Sequence, residues 1–203
     1  MPTDKLFDKY ELDTVKVSDP SLAGYINLDP VVIPHSHGRQ AKHPFGKRKV
    51  NLVERLVNKL MRGGTGMKTS GKVIRTDGRL QGQKTKAMKT VERALDTVAS
   101  RTKKNPVQVL VDAVQNAAPR EDFTRVAHGG VSYQVAVDVS ASRRLDMALR
   151  NMALAAIIGA FDKKKTLAEA LSDEIENTAK GDVNTSYAMK KRDETERMAR
   201  SAR

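Results

Sequence analysis

The side chains with the clearest chemical potential in this 203-residue chain are its cations, 37 Lys plus Arg against 24 Asp plus Glu, for a net charge of +13 with four neutral His. They are unevenly placed. Residues 38–89 hold 15 of the basic residues and only two acids, Glu54 and Asp77, so this quarter carries the whole excess, and the other 151 residues hold 22 of each sign. Self-repulsion of that size destabilises a compact state unless an anion relieves it, which points to a polyanionic partner rather than a solvated face. Three groups of cations would meet phosphate: Arg39, Lys42, Lys47, Arg48 and Lys49; then Lys68, Lys72, Arg75 and Arg79 in a glycine-rich stretch; then Lys84, Lys86 and Lys89. His35, His37 and His43 adjoin the first group. None has a helical i, i+4 partner or an acid at a supporting spacing, so donation to phosphate suits them better than metal ligation.

Other chemistries fail on residue type or context. Gly66–Val73 reads G-M-K-T-S-G-K-V, near a phosphate-binding loop, but Val73 stands where magnesium needs a hydroxyl, and the segment follows an amphipathic helix instead of a strand. The absence of Cys excludes disulfides, a thiolate zinc site and a cysteine nucleophile. No nucleophile with a base, and no carboxylates set among apolar residues, ask for an active site. With no Trp and 4% aromatics, a grip built on rows of stacking rings is disfavoured, and phosphate contact is favoured. The longest nearly apolar stretch, Met152 to Phe161, has ten residues, short of the ~20 that span a bilayer. The first nineteen residues carry five acids and no apolar run, unlike an export signal. The expectation is a soluble, cytoplasmic protein.

The elements that must position these cations follow from periodicity. Residues 1–37, with Pro20, Pro30 and Pro34, read as an irregular N-terminal extension packed on something else. Apolar residues from Val53 to Met61 recur at three and four residues, giving an amphipathic helix that Gly63-Gly64 stops. Residues 63–83 read as a mobile basic loop. A second helix from about Lys84 buries Ala87, Val91, Leu95 and Val98 and turns Lys84, Lys86, Lys89 and Arg93 outward. Asn105-Pro106 opens a third helix by capping. Period two then marks a half-buried strand from Val131 to Val139, paired across His128-Gly129-Gly130 into a β-hairpin over 122–139. Ser142 is placed to cap a central helix to about Phe161 whose first turn would expose Arg143 and Arg144. Thr166 with Glu169 has capping-box spacing and opens a fifth helix ending near Gly181. Residues 182–203 form a C-terminal helical tail with little apolar face, ordered mainly by a partner. The fold class is mainly α: a bundle of about six helices with a protruding β-hairpin between the third and fourth, and residues 38–181 as its nucleic-acid-binding body.

Three motifs carry a family resemblance. Phe45 to Arg62, F-G-K-R-K-V-N-L-V-E-R-L-V-N-K-L-M-R, resembles the signature of the small-ribosomal-subunit protein seven family. Gly129 to Val139, G-G-V-S-Y-Q-V-A-V-D-V, followed by Arg143-Arg144, is similar to that family's hairpin and next helix, and Lys190 to Ala199, K-K-R-D-E-T-E-R-M-A, to its C-terminal segment. Together they cover roughly residues 40–203, and the N-terminal extension and Ser-Ala-Arg ending look like the archaeal branch. The chain departs from the family pattern in its longer loop, where about fifteen residues separate Gly63-Gly64-Thr65-Gly66 from Gly82-Gln83-Lys84.

The resemblance implies a structural protein without a cofactor. It would bind the 3′ major domain of small-subunit rRNA through the cations above with Arg143 and Arg144, and nucleate assembly of the subunit head. It implies further that Arg125, His128, Tyr133 and Gln134 on the hairpin, and Lys190, Lys191 and Arg192 near the end, face exit-site tRNA and mRNA beside ribosomal protein eleven. From the residues alone His128 stays open between a turn residue and an RNA contact. Two other classes would use the same features: an architectural DNA- or RNA-binding protein outside the ribosome, and an NTP-dependent RNA enzyme built on Gly66–Val73. Under the RNA reading, Arg48→Ala or Lys84→Ala lowers affinity without changing which RNA is chosen.

Overall fold

Helix starts in this chain follow their capping side chains. Asn51 accepts from Val53 N at 2.9 Å, Asn105 from Val107 N at 3.0 Å with Pro106 behind it, and Ser186 from Met189 N at 3.2 Å. Thr166 and Glu169 exchange both bonds of a capping box, at 3.3 and 2.9 Å. In the computed structural model, residues 5–65, 73–75 and 79–203 are described, the side chains of Ala41 and His128 excepted. The elements are α1 (Pro20–Ala23), two 3-10 turns (Arg39–Lys42 and Gly46–Lys49), α2 (Leu52–Met61), α3 (Lys84–Thr102), α4 (Pro106–Ala117), β1 (Glu121–His128), β2 (Val131–Asp138), α5 (Ala141–Ala160), α6 (Leu167–Lys180) and α7 (Tyr187–Ser201). The mainly helical architecture with one antiparallel hairpin matches the expectation; α1, a single turn capped by Asp19, lies outside the count of six. Ser142 does not cap α5, which begins one residue before it, with Ser140 at the N-cap.

α5 forms the centre, touching α1, α2, α4, α6 and α7. Its Leu145, Ala148, Leu149, Met152 and Ala156 are buried together with Leu56 and Leu60 of α2, Val91 and Leu95 of α3, Leu110 and Val114 of α4, and Leu171 and Ile175 of α6. Burying such aliphatic side chains contributes about 1.5–3 kcal/mol each before conformational entropy is subtracted. The same core takes Leu6, Leu12, Leu22 and Ile26 from the N-terminal stretch. That stretch is strapped along α3 and α4 by polar side chains: Tyr10 donates to Asp96 at 2.5 Å, Gln108 accepts from Lys16 N and donates to Lys16 O at 2.8 and 3.0 Å, and Gln115 accepts from Asp19 N at 2.7 Å.

The hairpin leaves this core. Gly129 and Gly130 both have positive φ, 58° and 82°, which two-residue loops need to match strand twist. The register pairs Val126 with Tyr133 and Arg125 with Gln134. Val126, Val131, Tyr133, Val135 and Val137 are all exposed, so β2 is not the half-buried strand that its alternation suggests: among the described residues one apolar face is left open to solvent. On the other face Glu121 accepts from Arg203, and Phe123 and Ala136 are partly covered where α7 packs on β1.

α7 is held by the chain itself through polar contacts that a search for an apolar stripe overlooks. Buried Glu174 of α6 accepts from Ser186 Oγ and Ala188 N, both at 2.8 Å. Arg192 donates to Asn116 O at 2.7 Å, and Glu196 accepts from Arg120 N at 3.1 Å.

Candidate nucleic-acid interface

The first group of cations is carried by the two 3-10 turns before α2. Their backbone is closed by Arg39 N to Ser36 O, Gly46 N to His43 O, Arg48 N to Phe45 O and Val50 N to Lys47 O, all at 3.0–3.1 Å, and it is pinned by buried Val50. Arg39, Lys42, His43, Lys47, Arg48 and Lys49 are exposed, and the Arg48 guanidinium lies 6.0 Å from the Tyr25 ring centre. The third group starts at α3, which has no acid in its first turn. Lys86 and Lys89 are exposed beside a cleft of about 720 Å³ also lined by Thr85, Thr90 and Arg93, and Lys86 donates to Arg79 O at 3.0 Å. Arg75 and Arg79 are exposed, whereas Lys68, Lys72 and most of the Gly66–Val73 motif lie outside the described residues.

Three of the expected cations, and two that the sequence reading left out, serve the fold. Lys84 donates to Glu54 Oε1 at 2.6 Å, and Glu54, 2% exposed, also accepts from Ser36 N and Oγ at 3.0 Å. Burial would push the Glu54 carboxyl up, but these bonds win and hold it below its ordinary range. Asp146 of α5 accepts from Lys47 and, at 3.1 Å, from Arg55, with Lys59 at 3.6 Å; its carboxyl is likewise held down against burial. Burial pushes the Lys59 ammonium the other way, below its ordinary value, with Asp146 offsetting part of the shift. Arg143 and Arg144 part company. Arg143 is exposed and 3.3 Å from Asp122, but the Arg144 side chain, expected to be exposed, is only 8% so. Arg144 donates to Asp19 at 2.9 Å, to Pro119 O at 3.2 Å and to Ser21, and so clamps α1 and the end of α4 onto α5.

On the hairpin Arg125 and Gln134 share one face and Tyr133 the other, all three exposed; the His128 side chain lies outside the description. Of the C-terminal set Lys190 is exposed, Lys191 pairs with Glu194 at 2.6 Å, and Arg192 is engaged with Asn116 and Asp193.

The fold then joins what the sequence keeps apart. A groove of about 940 Å³ runs between the Phe45 turn, α5 and α7, and brings Lys59, Arg143, Arg150 and Lys191 together with Tyr25, Phe45 and Tyr187. Arg150 and the three aromatics were not singled out from sequence. Arg150 was findable, because it follows Arg143 by seven residues, two helical turns along the same side of α5.

The family model for ribosomal protein S7p/S5e matches residues 23–203, which takes in all three cationic groups, the hairpin and α7. The chain belongs to the ribosomal protein S7p/S5e family. It is 47% identical over 199 residues to a small ribosomal subunit protein uS7 of Methanococcus maripaludis, covering 98% of each chain. It is 46% identical to one from Methanococcus vannielii, covering 98% of this chain and 95% of that one. The resemblance read from the three motifs is therefore borne out, including its archaeal type. Residues before Ala23, outside the family match, fall within the alignment to the methanococcal proteins for nearly their whole length. Among the described residues no helix is long and apolar enough to cross a membrane, and no three metal-ligating side chains converge.

Proposed function

We propose that this chain is a structural, non-enzymatic component of the small ribosomal subunit in the cytoplasm, where it binds the 3′ major domain of the rRNA and nucleates assembly of the head. One observation carries the reading: a ribosomal-family chain concentrates its entire charge excess in residues 38–89, and sets Arg39, Lys42, Arg48, Lys49, Lys86 and Lys89 outward. Arg75 and Arg79, both exposed, extend this surface, and Lys68 and Lys72 are assigned the same phosphate-binding role from their place in the basic segment. Binding is by counterion release from phosphates, and RNA shape rather than base edges supplies the choice of partner. Residues 38–181 act as the RNA-binding body, with 1–37 as an extension and 182–203 as a basic end.

The hairpin and the start of α7 face exit-site tRNA and mRNA, beside ribosomal protein eleven. The uncovered strip of Val126, Val131, Tyr133 and Val135 supports a partner surface there, since apolar patches of that kind mark interaction sites. Arg125 and Gln134 supply the polar face. Lys190 is the C-terminal cation freest to reach RNA, because Lys191 and Arg192 already have protein partners.

The test is equilibrium binding of the full chain to a transcript of the 3′ major domain across a salt series, with tRNA and duplex DNA as competitors. About eight phosphates neutralised give a log–log salt slope around −6 to −7. Selective binding that survives competition at physiological salt is the expected result. Equal displacement by duplex DNA would sink the ribosomal reading in favour of a general polyanion binder.

A further inference from the structure

Phe45 is the most exposed large apolar side chain among the described residues, at 80%, and it sits where such a side chain is least expected. Its backbone is left-handed, φ 55° and ψ 9°, a region that bulky residues enter only when the surroundings impose it. The surroundings do impose it. Gly46 packs so tightly that a Cβ there would lie 2.0 Å from Gln40 O, and the bonds from Gly46 N to His43 O and Arg48 N to Phe45 O close the turn on both sides. The fold therefore holds an aromatic ring out in solvent on a fixed backbone. Next to it in sequence are Lys47, Arg48 and Lys49, and the groove it walls contains Arg143 and Arg150.

A ring so placed wants a partner that brings a flat π-face and negative charge together. A protein partner with an apolar socket would have to desolvate the flanking cations, whereas a nucleotide covers the ring with its base and the cations with its phosphates. We propose that Phe45 is a stacking platform for one unpaired base of the bound rRNA, with the flanking phosphates on Arg48, Lys49 and the groove cations Arg143 and Arg150. This rests on the rRNA-binding reading above and adds a specific base contact to what is otherwise phosphate binding. The 4% aromatic content fits a single platform better than a row of rings.

The chain has no Trp, so Phe45→Trp places a single tryptophan at the site, which excitation at the red edge selects over the four Tyr. Titrated with the 3′ major domain transcript, its emission should be strongly quenched while affinity is kept. Phe45→Asn, whose side chain tolerates the left-handed backbone, should melt no lower than the wild type yet bind the transcript about 5- to 150-fold more weakly, at an unchanged salt slope. Phe45→Leu keeps apolar bulk without a π-face and should be weakened similarly. Selective wild-type binding combined with an unquenched Trp, or with Phe45→Asn or Phe45→Leu at wild-type affinity, overturns the platform and leaves the rRNA reading standing; in the Leu case the contact is apolar, as to a protein. Loss of selectivity in the wild type itself overturns the rRNA reading and the platform with it.

Discussion

The interior and the outer surface of this protein use the same side chains and answer their charge differently. Inside, Arg144 is met by Asp19 and Pro119 O, Arg55 and Lys59 by Asp146, and Lys84 by Glu54, which is itself almost fully buried. Outside, Arg39, Lys42, Arg48, Lys49 and Lys89 are exposed and form no ion pair with any described residue. The acid that answers an interior cation comes from a distant part of the chain, Asp146 to Arg55 across 91 residues and Asp19 to Arg144 across 125. Net charge per segment therefore finds the ligand surface but overstates it: part of the excess in residues 38–89 is spent holding α2 to α5 and α3.

The sharpest way to break this division is at its boundary, between two adjacent arginines. Arg144→Ala removes the buried charged donor that Asp19 and Pro119 O share, leaving Asp19 with its bonds from Ser21 N and Oγ, and should cost about 3 kcal/mol in urea denaturation. Arg143→Ala should stay within about 0.5 kcal/mol of wild type, because its side chain is 66% exposed. For RNA the order reverses: at temperatures where both are folded, Arg143→Ala should weaken binding more. Lys84→Ala comes next, about 2 kcal/mol, because it strips the charged donor from buried Glu54. That modifies the expectation from sequence, in which Lys84 and Arg48 behave alike. Equal stability of the Arg143 and Arg144 variants would abolish the distinction.

Features coded locally were legible in the sequence. Asn105-Pro106, Thr166 with Glu169 and Gly129-Gly130 act within a few residues of themselves, so type and spacing sufficed to place two helix starts and the turn. What escaped was non-local. Leu6, Leu12, Leu22 and Ile26 have no common period, and only packing on the helices makes them core. The docking of α7 rests on Arg192 reaching Asn116 O and on Glu174 accepting from residues 186 and 188, bonds that carry no hydrophobic signature. Arg143 and Arg144 are the same residue type one step apart on a helix; about 100° of rotation decides that one is a ligand candidate and the other a clamp. The groove with Arg150, Tyr25 and Tyr187 exists only once α5 and α7 are packed.

Acid should expose the interior charges before the surface ones. The carboxyls of Asp19, Glu54 and Asp146 are each held below their ordinary values of 3.8, 4.5 and 3.8: burial opposes ionisation in every case, and hydrogen bonds and cations outweigh it. In the window below those ordinary values the unfolded chain binds more protons than the folded one, so stability rises with pH. The contribution is complete above about pH 5 and is lost as pH falls through the lowered folded-state values. Urea midpoints measured from pH 3 to 7 should trace that limb, and Asp146→Asn, which cannot ionise, should be less stable at pH 7 and flatten it. An unchanged limb in Asp146→Asn would show that this carboxylate does not anchor the inner cations.

The smallest effect on the fold, and the most diagnostic for the surface, belongs to Arg48→Ala. Its guanidinium is exposed, lies 6.0 Å from the Tyr25 ring centre and forms no ion pair with any described residue, so stability should stay within about 0.5 kcal/mol. On RNA one lost phosphate contact should reduce the magnitude of the log–log salt slope by about 0.7–0.9 and weaken binding uniformly across RNAs. Phe45→Asn, three residues distant in sequence, should do the opposite and lower affinity with the slope intact. The pair of variants thus separates charge from stacking on one 3-10 turn. A changed RNA preference in Arg48→Ala at an unchanged slope would mean that this cation reads a base edge rather than a phosphate.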